Sequence, residues 1–411
     1  MGLHRLSRYR LAPLSAQVRH PLVTKVFYIS PSVLPSRTAN SVHVVHQCAG
    51  FAKAGAQVTL FAKRSLPNVA ETSAALAATY GVLEGTFDLD SFFSRSPRGD
   101  SLKIAALALY RLARRPRPDL VLSRNLYAAY VLAVLQGRPL VFETHQLESG
   151  PRKPLQRAIM TRPNVTTLVI SEKLKEILST HHDVSPACAL VLHDAAPEGI
   201  RPLPVETKRP VLQELLPTQD LSAWQAVCGY FGHLYPGRGI EVIEAMARAR
   251  PRVLFLVFGG NERDIADRRA ATQMDNLVFA GFLPHATAQR AMAACDVLLM
   301  PYQTSVSIGV SGHDTARWMS PMKMFEYLAS GTPLISSDLP VLREVLDDER
   351  TALLAQPDHT EAWLGQLDRL LAEPTLAVKL GTEGHRRYME SHTWTRRAEA
   401  ILAATGVKAA T

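Results

Sequence analysis

From Lys25 onward, short apolar runs rich in β-branched residues alternate with longer amphipathic stretches, and one proline-rich segment interrupts the alternation before it resumes. Parallel strands need a helix-length crossover to rejoin the same sheet, so this alternation restricts the chain to α/β folds. Six strands are predicted before residue 200: Val26–Ser30, Val58–Lys63, Asp119–Arg124, Pro139–His145, Val165–Ser171 and Ala189–Asp194. Six more follow: Ala226–Gly232, Val253–Gly259, Leu277–Phe282, Val297–Tyr302, Leu334–Asp338 and Leu353–Gln356. Between the two series, Pro197–Pro210 carries Pro197, Pro202, Pro204 and Pro210 without periodicity and reads as a linker. The expected fold is α/β, with two doubly wound Rossmann-like domains facing each other across a cleft. The expected boundaries are 1–24 for a basic N-terminal arm, 25–205 and 206–385 for the two domains, and 386–411 for a C-terminal helix.

The length of 411 residues suits this division at roughly 150 residues per domain. The longest apolar run, Leu126–Leu135, is about half of the ~20 residues that cross a bilayer, so no membrane span is expected. The net charge of +9 is uneven: residues 1–70 hold Arg5, Arg8, Arg10, Arg19, Lys25, Arg37, Lys53, Lys63 and Arg64 with no Asp or Glu, and the rest of the chain is balanced. Such a field attracts phosphates or anionic lipid headgroups. Aromatic residues are not interleaved with the charge and no nucleic-acid motif appears, so nucleic acid is not expected as a partner. Cys48, Cys188, Cys228 and Cys295 lie far apart without metal-ligand spacing and read as buried reduced thiols. The opening MGLHRLSRYRLAPLS has the composition of a transit peptide but reads better as a flexible basic arm.

In parallel sheets, ligands sit beyond the carboxyl ends of the strands, so the loops there are where chemistry is sought. Trp318–Pro333 reads as a short helix with Ser320 as its N-cap, Pro321 at its first position and Gly331 ending it. First-turn N–H groups near Met322 and Lys323 would then form an anion site, with Glu326 on the same face to accept ribose hydroxyls. A surface Lys323–Glu326 pair is the alternative. Gly229–Gly239 follows a strand and precedes a helix; its glycines, Gly237 among them, permit close ligand approach, and Arg238 could clamp a diphosphate. A plain turn is the alternative there. Neither a Walker A nor a GxGxxG pattern is present.

Together these two segments resemble the donor-binding half of the GT-B glycosyltransferases of family four. The resemblance spans about residues 25–400 and implies a retaining, metal-independent enzyme that uses a nucleotide-diphosphate sugar and needs no cofactor. Glu326 matches the second Glu of that family's E-x7-E motif, on the ribose, and Arg238 its basic residue on the diphosphate; His233 stands where the family usually has Arg. Phe282 and Leu283 fall beside the base. Trp318 replaces the first Glu, as in a variant subset with a D-x-x-x-W-M-S-P-x-K-x-x-E-Y run that Asp314–Tyr327 matches. Asp314 is then a candidate carboxylate for the donor sugar, or a loop residue capping a turn. In the N-terminal half, Arg37 and Asn40, before a helix expected near Ser41, are candidate acceptor or phosphate contacts. His145, in FETHQLE, resembles the family's active-site His on the donor sugar.

The implied function is transfer of a sugar to a hydroxyl acceptor, lipid-linked among the options, in surface polysaccharide or glycolipid synthesis. A cytoplasmic location follows, with a peripheral seat on an anionic membrane face. A sugar-nucleotide epimerase and a silent sugar-nucleotide-binding scaffold remain alternatives. Asp88-Leu-Asp90, a DxD, lies in an expected irregular stretch and is set aside as a metal motif, and His181-His182-Asp183 is read as a solvated turn. By resemblance, the helix after Ser391, anchored by Trp394, crosses back onto the N-terminal half.

Overall fold

The structure is a computed structural model that describes residues 23–96, 98–307 and 314–407. The basic arm expected over residues 1–24 lies almost wholly outside them. Two parallel sheets organise the chain. The first joins β1 (Lys25–Leu34), β2 (Gln57–Arg64), β3 (Asp88–Phe93), β4 (Leu120–Ser123), β5 (Leu140–Thr144), β6 (Val165–Val169) and β7 (Ala189–Val191) in the order β3-β2-β1-β4-β5-β6-β7. The second joins β8 (Ala226–Phe231), β9 (Val253–Phe258), β10 (Leu277–Gly281), β11 (Val297–Met300), β12 (Leu334–Ser337) and β13 (Leu353–Ala355) in the order β10-β9-β8-β11-β12-β13. Every residue of β8 and β9 is buried, as expected for parallel strands covered by helices on both faces. The strand order reverses between β1 and β4 and again between β8 and β11, which puts a ligand crevice at the carboxyl end of each sheet.

Three expectations are corrected. Asp88–Asp90 is not irregular: it begins β3, paired in parallel with β2. Asp90, in the middle of this edge strand, is held by Arg111 and Arg115 at 3.0 Å each. The linker ends earlier than Pro210, because Val205–Leu215 is a helix with Pro210 inside it. His181 and His182 close the Glu172–His182 helix, and buried His182 shares a 2.8 Å hydrogen bond with Gln156. Of the free cysteines, Cys188 is only half-buried.

Two chain segments join the halves side by side. The Ala196 N–H donates to the His392 carbonyl at 3.0 Å, and the Tyr388 hydroxyl donates to the Pro197 carbonyl at 2.6 Å. Beyond this crossing, the Trp394–Thr405 helix packs on the Ala39–Lys53 helix, burying Ala398, Ile401 and Leu402 with Val44, Val45, Cys48 and Phe51. Gly50 makes that approach possible, since a Cβ there would stand 2.3 Å from the Trp394 carbonyl oxygen. Across the interface the Glu344 carboxylate accepts the Glu172 and Lys173 N–H groups at 2.7 and 3.0 Å, a negative charge at the positive end of a helix. The Ser171 hydroxyl donates to the Trp318 carbonyl at 2.9 Å, and the Trp318 side chain packs against the N-terminal core. Trp318, standing where a carboxylate was expected by resemblance, is therefore an interdomain contact.

Candidate active site

The carboxyl ends of both sheets face one cavity of about 900 Å³. On its C-terminal wall the helix is Met322–Ser330, and the expected cap is corrected: Pro321, not Ser320, occupies the N-cap, and no side chain caps the first turn. The Ser320 hydroxyl instead accepts the Asp194 N–H at 2.9 Å, tying this wall to the other half. The uncapped N–H groups near Met322, which lines the cavity, keep their hydrogen-bonding capacity for an anion.

The Lys323 ammonium lies 4.2 Å from the ring centre of Tyr230 and 4.5 Å from that of Tyr302. It has no ion-pair partner among the described residues. Burial and the neighbouring Arg238 guanidinium push its pKa well below the usual lysine value, only partly offset by Glu326. Arg238 donates to the Tyr302 hydroxyl at 2.8 Å, and among the described residues its buried Nε has no hydrogen-bond partner and its guanidinium no ion-pair partner. Two adjacent cations without a direct ion-pair partner among the described residues repel each other and favour an anionic ligand. The alternative of a surface Lys323–Glu326 pair is excluded, because Glu326 is buried and bonds the His285 imidazole. Burial lowers the His285 pKa, but Glu326 overcomes this and leaves it above the usual value.

His233 lines the cavity with its ring stacked on Tyr235 at 4.7 Å, and its pKa is lowered by burial, then by Arg238 and Lys323. Gly237 does not line the cavity. At φ +82° and +78°, Gly237 and Gly239 let this loop lie on the 301–306 segment, where added Cβ atoms would stand 1.9 Å from the Ser305 oxygen and 1.8 Å from the Pro301 oxygen. Gly237 thus shapes the loop that presents Arg238. Asp314 is also outside the described lining: its Oδ1 accepts the Val306 and Ala316 N–H groups at 2.9 Å each, bracing a loop. Phe282 and Leu283 both line the cavity, and Phe282 is covered by the Arg37 guanidinium from the other half at 4.1 Å.

On the N-terminal wall, the segment expected to be a loop before Ser41 is already helical from Ala39, capped by the Thr38 hydroxyl. Asn40 donates to the Ser32 hydroxyl at 2.7 Å and lines the cavity. His145 follows β5 and also lines it, but both ring nitrogens are occupied. Arg124 donates to Nδ1 at 3.0 Å, and the Nε2 hydrogen goes to Glu143 at 2.9 Å. Burial and Arg124 lower its pKa to about 4, outweighing Glu143, so the imidazole is neutral and fixed as this tautomer.

Sequence reasoning missed the group behind His145. Buried Glu143 also receives the Arg397 guanidinium at 2.7 Å and the Tyr28 hydroxyl at 3.2 Å, with His43 Nε2 at 3.1 Å. Arg397 comes from the C-terminal helix, and His43 is tied to Asp194 at 2.9 Å. A carboxylate inside an otherwise apolar strand was the available signal for Glu143; His285 and Arg397 carried none. Among the described residues His43, Glu143 and His145 are the group close enough to share a metal ion, yet each is already committed to protein partners.

With this geometry in place, comparison with known proteins identifies the chain. The family model described as Glycosyltransferase Family 4 matches residues 41–194, and the one described as Glycosyl transferase-like matches residues 238–403. Over 269 residues the chain is 26% identical to the 2-deoxystreptamine glucosyltransferase of Streptomyces kanamyceticus, covering 62% of this chain and 64% of that protein. The chain thus spans a little under two thirds of that relative's length. Among solved structures, Anabaena HepE in complex with UDP is similar with a TM-score of 0.68 at 13% identity, over 94% of this chain and 100% of that one. Sucrose-phosphate synthase from Thermosynechococcus elongatus gives 0.68 at 19% identity, over 93% and 98%. Both likenesses are of fold, two parallel-sheet α/β domains in the GT-B arrangement, and the family matches on the two halves place the chain among the glycosyltransferases, with Glycosyltransferase Family 4 matched over the N-terminal half.

Proposed function

We propose that this protein is a retaining, metal-independent glycosyltransferase that moves a sugar from a nucleotide-diphosphate donor to a hydroxyl acceptor, in surface polysaccharide or glycolipid synthesis. The observation that carries the reading is the pairing of Arg238 and Lys323, neither neutralised by a carboxylate, at an uncapped helix N-terminus on the cavity wall. The UDP bound in the similar HepE structure supports the same class of donor.

In this scheme the acceptor hydroxyl attacks the anomeric carbon from the face the diphosphate leaves. The carbon–oxygen bond to the β-phosphate breaks with its electron pair, and that phosphate oxygen takes the hydroxyl proton, giving glycoside and nucleoside diphosphate. Arg238, Lys323 and the first-turn N–H groups stabilise the charge that grows on the leaving oxygens, a task metal ions perform in other transferases. Glu326 holds the ribose, Phe282 and Leu283 flank the base, and the Asp314-braced loop supports the donor-sugar end. His145, with both nitrogens engaged, shapes the sugar site through its fixed ring. Arg37 and Asn40 stand on the acceptor side. The basic residues of the N-terminal half suit a lipid-linked acceptor at an anionic membrane surface, with the protein seated peripherally on the cytoplasmic face. Among the described residues no helix is long and apolar enough to cross a membrane.

A thermal-shift screen of UDP, GDP, ADP and dTDP on wild type and Glu326→Gln tests the donor site. One nucleotide should raise the melting temperature of wild type, and less so that of the variant, since a ligand bound only by the native state stabilises it. No shift with any nucleotide at millimolar concentration counts against the reading.

A further inference from the structure

We infer that His285 is a positioning residue of the donor site, clamped by the N-terminal domain so that it fixes the Glu326 carboxylate toward the ribose hydroxyls. This rests on the reading of the cavity as a nucleotide-sugar site. His285 opens the His285–Ala294 helix, one proline beyond Phe282 and Leu283, and its Nε2 bonds Glu326 Oε1. That bond leaves Oε2 without a protein hydrogen bond among the described residues. A carboxylate as buried as Glu326 needs a hydrogen-bond partner to hold one orientation. His285 meets this need while leaving one oxygen for the ligand.

The other face of His285 is covered from across the interface. The His46 ring lies 5.3 Å away on the Ala39–Lys53 helix, and the Trp394 indole stacks behind it at 6.4 Å and 14°. His46 is buried, its pKa lowered to about 3 by burial and then by His285, so it covers His285 without adding charge. The imidazole cannot swing away from Glu326 while the two halves are closed. The ribose contact is thereby pre-oriented, which lowers the entropy lost on binding. Without His285 the buried carboxylate loses its one protein hydrogen bond among the described residues and is free to turn toward another donor, which removes the ribose acceptor.

The test is a binding cycle between His285 and the ribose 2′-hydroxyl. UDP, GDP and ADP, each with its 2′-deoxy counterpart, and inorganic pyrophosphate are titrated into full-length wild type, His285→Ala and His285→Gln. Wild type should prefer its ribonucleotide over the 2′-deoxy form by about tenfold or more, as for a hydrogen bond to a charged group. In His285→Ala the preference should fall to about twofold while pyrophosphate affinity stays near wild type, showing that the Arg238–Lys323 site is intact. His285→Gln, whose side-chain N–H can reach the same carboxylate, should recover part of the preference, and this variant decides the matter if the alanine variant does not fold. An undiminished ribose preference in a folded variant overturns the proposal alone. Failure of wild type to bind any nucleotide overturns the donor-site reading and this proposal together.

Discussion

Lys323→Met is expected to lower turnover by on the order of 10²-fold or more, with a similar loss for Arg238→Gln, measured as nucleoside diphosphate released per second with donor at saturation. In the proposed reaction both side chains, which line the cavity, face the charge that grows when the sugar leaves, and among the described residues neither forms an ion pair with a carboxylate. The Tyr230 and Tyr302 rings flank the partly buried Lys323, so each lost interaction counts for more than it would at the open surface. Met preserves most of the stem's volume, which separates loss of charge from loss of packing. Because the growing charge belongs to the transition state, kcat should fall more than KM rises. Loss confined to KM would show that the pair binds the donor without assisting bond cleavage.

Arg397→Met should produce the largest loss of stability, about 3–5 kcal/mol, because it leaves the buried Glu143 carboxylate without its guanidinium partner. Glu143 and Arg397 have side-chain exposures of 0% and 2%, and their bond ties the C-terminal helix to the strand that carries His145. Burial alone would raise the Glu143 pKa, but Arg397 and then His43 overcome it and hold the carboxyl well below the usual range. A depressed carboxylate stabilises the fold above its unfolded value, about 4.3, and loses that contribution as pH falls through the folded value. The gap between wild type and variant in urea denaturation should therefore be full at pH 7 and narrow in acid. A gap of under about 1 kcal/mol at pH 7 would show that Glu143 finds another partner.

Twelve of the strands were legible because parallel strands covered on both faces are short continuous apolar runs, as VLFLVF in β9 shows. β3 was not, since a part-exposed edge strand reading DLDSFF tolerates Asp at alternate positions. Lys323, Glu326 and Arg238 could be found from local patterns of helix start and glycine-rich turn. Their partners could not: His285 stands 41 residues from Glu326, and Arg397 stands 254 from Glu143. Ser320 shows the same limit in reverse. Its N-cap signal is sound locally, yet a tertiary hydrogen bond to Asp194 takes the hydroxyl and leaves the helix end open. Gly237 looks like a ligand contact from its glycine-rich turn, and the folded loop shows that it lies on neighbouring backbone; for Asp314, offered by resemblance as a sugar contact or as a turn cap, the structure shows backbone N–H groups on its carboxylate.

Two cations without an ion-pair partner among the described residues, set at a helix N-terminus, are expected to form a diphosphate site. Calorimetric titration of UDP, GDP and ADP against their monophosphates, in two buffers of different ionisation heat, probes that site. An incoming diphosphate should restore the depressed Lys323 pKa, so binding takes up protons at a pH between the lowered and restored values. The predicted result is that one diphosphate binds at least about tenfold tighter than its monophosphate, with proton uptake, and that Lys323→Met loses both. Equal affinity for mono- and diphosphate, with no proton uptake and no effect of Lys323→Met, would contradict it.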